Sequence, residues 1–208
     1  MEVVFIESKS NVSLINVLRK IKTKDKLGLI TTIQHSYNLE DAKKLFPNSV
    51  IGGQVLGCDV SAALKIKDQV DLFLFIGSGE FHPLGVALKT DKEVIIADPL
   101  TGKVSKITKE DIATYRVKLR GKYVKFLKAE KVGILVSVKP GQYNLETALH
   151  LQNKLEKRSY ILVANNFSET ELENYPDIET FINTACPRIE FHNVINLEDV
   201  EEMIKRFS

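Results

Sequence analysis

Two cysteines, Cys58 and Cys186, are all that 208 residues contain, too few and too far apart for a disulfide framework. Their wide separation also excludes a local CxxC metal knuckle. Charge imbalance is missing as well: 29 basic against 27 acidic side chains leave a net charge of +2. That balance offers no concentrated basic surface for phosphate, so no nucleic-acid partner is expected. No apolar run approaches the ~20 residues of a membrane span. The opening Met1-Glu2-Val3-Val4-Phe5 has neither the basic start nor the long apolar core of a signal peptide. A cytoplasmic protein in a reduced compartment, away from membranes, is the expectation. The histidines His35, His82, His150 and His192 form no HxxxH or HxH pair, which leaves zinc-hydrolase chemistry little support. No GxSxG elbow, Walker loop or dinucleotide fingerprint occurs.

What is present is ordinary globular composition, 44% hydrophobic and 27% charged, in a chain long enough for one large or two small domains. Short apolar runs alternate with segments of helical spacing. Strands are expected at Glu2–Ile6, Leu27–Thr32, Ser49–Ile51, Asp71–Ile76 and Glu93–Ala97, with a short edge strand over Val104–Ile107. Asp71–Ile76 is the most apolar run and reads as a central parallel strand. Helices are expected from Val12 toward Lys20, over Glu40–Phe46 before Pro47, weakly over Val60–Ile66, and through Leu84–Leu88. Thr108 with Asp111 forms a loose capping box for a long Lys- and Arg-rich helix to Ala129. The alternation then restarts with strands Lys131–Val138, Tyr160–Val163 and Glu179–Asn183, and helices Asn144–Glu156, Ser168–Leu172 and Leu197–Phe207. The fold class is α/β: two similar modules with parallel sheets flanked by helices, residues 1–125 and 126–208, joined by the long helix.

Each cysteine follows an apolar run. A lone intracellular cysteine is usually a small buried hydrophobe. Cys58, however, follows what reads as a glycine-rich bend, Gly52-Gly53-Gln54-Val55-Leu56-Gly57, and Cys186 precedes Pro187 at a strand end. Carboxyl ends of parallel strands are where open α/β sheets bind ligands. Gly77-Ser78-Gly79-Glu80-Phe81-His82 could present backbone N–H groups to an anion, and serves equally as a tight strand-to-helix turn. Lys139-Pro140-Gly141-Gln142 stands in the same relation to the second module, with Gln142 able to hydrogen-bond a polar ligand or simply close a turn. Lys118, Arg120, Lys122, Lys125 and Lys128 make a basic run that reads as a solvated face.

Together, Gly53–Cys58, the Gly-x-Gly-x-Phe-His run from Gly77 to His82, Asp98-Pro99, Lys139–Gln142 and Thr184–Arg188 resemble the archaeal diphthamide synthesis enzymes, 2-(3-amino-3-carboxypropyl)histidine synthases. Thr31-Thr32-Ile33-Gln34-His35 is similar to the opening of that family's second domain. The resemblance covers essentially the whole chain, in the order of the family's second and third domains. It implies three alike α/β domains, each giving one cysteine to a [4Fe-4S] cluster whose open iron binds S-adenosylmethionine. A 3-amino-3-carboxypropyl radical formed there adds to a histidine of translation elongation factor two. On this resemblance Cys58 and Cys186 are cluster ligands, and Gly77, Gly79, His82 and Gln142 line the cofactor site; no catalytic residue is assigned. A third thiolate would come from another chain, in a homo- or hetero-oligomer. A non-catalytic accessory subunit or degenerate paralogue is the alternative, and an unrelated small-molecule-binding α/β protein a third reading.

Overall fold

The computed structural model describes residues 4, 6 and 8–207, with the side chains of 204–207 left aside. The expected first strand, Glu2–Ile6, lies largely outside the described residues; Val4 and Ile6 are exposed and carry no strand assignment. The chain divides into two compact units, one ending at Thr114 and the other beginning at Tyr115.

The first unit runs α1 (Ile15–Leu18), β1 (Leu27–Thr31), α2 (Leu39–Leu45), β2 (Val50–Gln54), α3 (Ser61–Leu64), β3 (Leu72–Ile76), α4 (Phe81–Thr90), β4 (Val94–Ala97) and β5 (Val104–Ile107). Its sheet has the order β2-β1-β3-β4-β5, parallel except for the antiparallel edge β5. β3 is the central strand, as its sequence predicts. Every residue of it is apolar because both faces are covered: Phe73 and Phe75 pack with α3 and α4, whereas Leu72, Leu74 and Ile76 pack with α1 and α2. The first helix is only Ile15–Leu18, shorter than the Val12–Lys20 spacing suggests, and Ile33–Asn38 is a 3-10 helix leading into α2.

α5 (Lys109–Lys128) spans the division between the units. Its start is fixed as its sequence predicts: Asp111 Oδ2 accepts from the Thr108 N–H at 2.8 Å, and the Asp111 N–H donates to Thr108 Oγ1 at 3.2 Å.

The second unit continues with β6 (Lys131–Ser137), α6 (Leu145–Lys154), β7 (Arg158–Ala164), α7 (Glu169–Leu172), β8 (Thr180–Asn183), β9 (Val194–Asn196) and α8 (Leu197–Phe207). Its sheet is fully parallel in the order β7-β6-β8-β9. The strand β9 is absent from the sequence reading, because three residues abutting a helix carry too little alternation to register. One face is covered by α5, α6 and α8 through Phe126, Ala148, Leu151, Val200 and Met203. The other has a smaller cluster around Leu135, Leu172, Phe181 and Val194.

The two units share one wiring, with the second strand outermost, then the first, third and fourth. They also share a packing detail. Gly28 of β1 lies in register with Phe73 of β3, and Gly133 of β6 with Phe181 of β8. A Cβ on Gly28 would meet the Phe73 ring at 2.7 Å, and one on Gly133 the Phe181 ring at 2.4 Å. Each glycine makes room for the aromatic ring that fills the sheet face beside it.

Candidate functional site

In this strand order the chain departs in opposite directions from the first and third strands, and the carboxyl ends at such a switch point are where open α/β sheets bind ligands. In the first unit Thr31 Oγ1 donates to the Ile76 carbonyl at 2.6 Å and ties β1 to β3 at that point. The segments singled out in the sequence leave the sheet at this end: His35 after β1, Cys58 after β2, Gly77–His82 after β3, and Asp98 after β4.

The glycines before Cys58 do not form the expected bend. Gly52 and Gly53 belong to β2, where the register passes from Leu29↔Ile51 to Ile30↔Gly53. The extra residue makes a bulge, and Gly53 at φ +110° supplies the backbone it needs. The turn comes later, where Leu56 and Asp59 exchange backbone hydrogen bonds of 2.8 and 3.3 Å around Gly57 and Cys58. Gly57 is the position that requires glycine: a Cβ there would sit 1.7 Å from Phe81 Cε1. The Cys58 loop thus rests on the first turn of α4, and its thiol is free and exposed. Asp59 holds the far side by accepting from the Ser61 N–H at 2.8 Å, and this bond keeps its carboxyl below the ordinary range.

Phe81 and His82 are thereby placed. The His82 ring stacks on Phe75 at 5.9 Å and meets Phe81 edge-on at 5.6 Å. Gly77 is buried at the end of β3, while Ser78 and Gly79 are exposed. Asp98 Oδ1 accepts from Ser78 Oγ at 2.7 Å and from the N–H groups of Leu100 and Thr101 at 2.9 and 3.3 Å. Burial alone would raise the Asp98 carboxyl, but these donors together outweigh it and hold it below the usual carboxylate range. His35 is buried, its Nδ1 has no hydrogen-bond partner among the described residues, and burial lowers its pKa against the pull of Asp98.

In the second unit Cys186 follows β8 and is free and half-buried. Its loop is held by polar contacts. Thr184 donates to the Leu135 carbonyl through both N–H and Oγ1, at 3.1 and 2.8 Å, and its own carbonyl accepts from Asn144 Nδ2 at 2.6 Å. Asn183 bonds the backbone on both sides of the Ala185–Cys186 peptide. Gln142 closes a turn by donating its N–H to the Lys139 carbonyl at 3.0 Å and is half-buried. The Asn144–Thr184 bond draws this turn and the Cys186 loop to one end of the sheet. Past the cysteine, Glu190 lies near α5: burial, then Glu190 and Asp199, push the Tyr115 hydroxyl up to about 12. Burial lowers the pKa of Lys122 against the same two carboxylates, so Lys122 departs from the otherwise exposed basic run on α5. A groove of about 870 Å³ lies against β7 and the segment that follows it, with Tyr160, Val163, Phe167 and Tyr175 in its lining, and includes neither Cys186 nor Gln142.

Asn183, Asn196 and Asn144 escaped the sequence reading. The signal was present only for Asn183, a strand-terminal asparagine two residues before a small residue, which is an Asx-turn pattern. Asn196 needed β9 to be visible.

The diphthamide synthesis protein family matches residues 1–196 of the chain. A 2-(3-amino-3-carboxypropyl)histidine synthase of Pyrococcus horikoshii is 34% identical over 89% of the chain. The chain belongs to the diphthamide synthesis protein family. The enzyme of the same name from Methanocaldococcus jannaschii is 35% identical over 79% of the chain. The crystal structure of Dph2 from Pyrococcus horikoshii with a 4Fe-4S cluster superposes with a TM-score of 0.79 at 31% identity, covering 95% of this chain and 64% of that one. This family member spans 58% of the length of the Pyrococcus relative and 45% of the Methanocaldococcus one.

Proposed function

We propose that this chain is part of a 2-(3-amino-3-carboxypropyl)histidine synthase, corresponding to that enzyme's second and third domains. The observation that carries the reading is the pair of free thiols, each on a loop at the carboxyl end of a parallel sheet, in a relative of a protein crystallised with a 4Fe-4S cluster. Such clusters are held by cysteine thiolates, so Cys58 and Cys186 are donors of the right kind. Their number falls short: among the described residues no group of three His, Cys, Asp or Glu side chains converges to hold a metal. The remaining thiolate comes from outside these 208 residues, as from a second chain in a homo- or hetero-oligomer.

When bound, the cluster supplies an electron for cleaving a carbon–sulfur bond of S-adenosylmethionine, and the 3-amino-3-carboxypropyl group passes to a histidine of translation elongation factor two. This chain's residues hold and orient. The Gly57–Phe81 contact seats the Cys58 loop beside Gly77–His82. Gly79 leaves backbone uncovered for a polar cosubstrate, the buried Gly77 anchors that turn through its N–H on the Ala97 carbonyl, and His82 is fixed between two aromatic rings. Gln142 offers an amide on the turn tied to the Cys186 loop. The shortfall in donors favours one other reading, a non-catalytic subunit whose cysteines serve partner binding.

Anaerobic reconstitution with iron and sulfide, alone and with a polypeptide supplying a third thiol, separates the two. The enzymatic reading expects visible cluster absorbance and S-adenosylmethionine cleavage with that polypeptide, both lost in Cys58→Ala and Cys186→Ala. Absence of cluster and cleavage under both conditions would sink it.

A further inference from the structure

The Asn183 side chain is 3% exposed at the end of β8 and makes three hydrogen bonds. Its Oδ1 accepts from the Ala185 N–H at 2.9 Å, while Nδ2 donates to the Cys186 carbonyl and to Asn196 Oδ1, both at 2.8 Å. Both amide hydrogens are therefore used, and Asn196, its register partner on β9, stands directly behind it. The Cys186 carbonyl takes a second donor, the Ile189 N–H at 3.0 Å, closing a turn with Pro187 in the position that favours proline. An Asx turn and a β-turn thus meet at the cysteine, one fixing the peptide before it and the other its carbonyl.

A buried amide pair contributes little net stability when satisfied and costs heavily when half-satisfied. Ending a strand does not require one: at the matching place in the first unit, β3 runs into Gly77 without a buried amide side chain. What distinguishes this place in the second unit is the thiol that follows the strand. We propose that Asn183, braced by Asn196, is a positioning residue that locks the backbone of Cys186 and presents its thiol in one orientation. The role of that thiol as a cluster ligand rests on the function proposed above; the locking does not.

Asn183→Asp separates locking from simple strand ending. It keeps the oxygen that accepts from Ala185, and the Asn196 amide can turn to donate to the new carboxylate. Only the Cys186 carbonyl then faces an acceptor instead of a donor. Alkylation of each cysteine by iodoacetamide is followed by peptide mass spectrometry, with Cys58 in the same molecule as the internal reference. Freed from its lock and placed beside a new carboxylate, Cys186 is expected to change its alkylation rate about threefold or more relative to Cys58. Asn196→Ala, which adds no charge, should shift the ratio by less, and circular dichroism should show both variants folded. A Cys186-to-Cys58 ratio unchanged in both folded variants would overturn the proposal. A changed ratio in these variants, beside undiminished iron loading in Cys186→Ala, would uphold the positioning and count against Cys186 as a ligand, so the two readings can fail separately.

Discussion

The two units are built alike and furnished differently. Each has the strand order second-first-third-fourth, and each places a glycine of its first strand under a phenylalanine of its third. Yet Cys58 follows the second strand of its unit and Cys186 the third of its own. Five residues past the shared phenylalanine, the first unit has Ser78 where the second has Cys186. The means of support differ too: close packing of Gly57 on Phe81 seats an exposed thiol, whereas a buried asparagine network holds a half-buried one. The scaffold repeats and the site does not, which is the general relation of fold to function seen within one chain.

The likeness breaks first at the glycine–phenylalanine pairs. Gly133→Ala and Gly28→Ala should each cost about 1–3 kcal/mol from overpacking, more at Gly133 where the added atom lands closer. Chemical denaturation reads the loss, and pairing each change with Phe181→Leu or Phe73→Leu should recover part of it. A large cost in one unit and none in the other would mean that the shared register is not a shared packing solution.

Helix starts give a smaller contrast. Thr108→Ala removes the cap of the twenty-residue α5 and should cost about 1 kcal/mol. Ser168→Ala removes a capping box from the four-residue α7 and should cost less, both measured by thermal melting.

The contrast in the cysteine loops predicts a local effect. Gly57→Ala should change Cys58 alkylation while leaving Cys186 alone, since the added carbon displaces only the loop resting on Phe81. The acid-sensitivity that His35 gives the first unit is the subtlest. His35 is buried with a pKa below its ordinary 6.5, so the unfolded chain binds a proton more readily than the folded one. Its contribution to stability is complete above pH 6.5 and declines as pH falls through the lowered value. His35→Gln should flatten that part of the stability–pH profile, and an unaltered slope would refute it.

Much of this was legible in the sequence. β3 announced itself as a continuous apolar run because it is buried on both faces, and Thr108 and Asp111 marked the start of α5 through a local exchange of hydrogen bonds. Strand order was not legible, since periodicity locates strands without saying which lie side by side. The two cysteines therefore looked equivalent until the sheets showed that they follow different strands. The Gly52–Gly53 pair read as a bend because glycine signals departure from regular backbone, and the departure proved to be a bulge inside β2. The asparagine network stayed hidden because Asn183 and Asn196 are thirteen residues apart and meet only through β9.

The central claim is that two differently built loops serve one cluster. Iron and acid-labile sulfide per chain, measured after anaerobic reconstitution with a polypeptide supplying a third thiol, test it most directly. The account predicts that Cys58→Ala and Cys186→Ala each lower the loading of four irons and four sulfides to a small fraction of the unsubstituted chain's. Full loading in either single variant would contradict it.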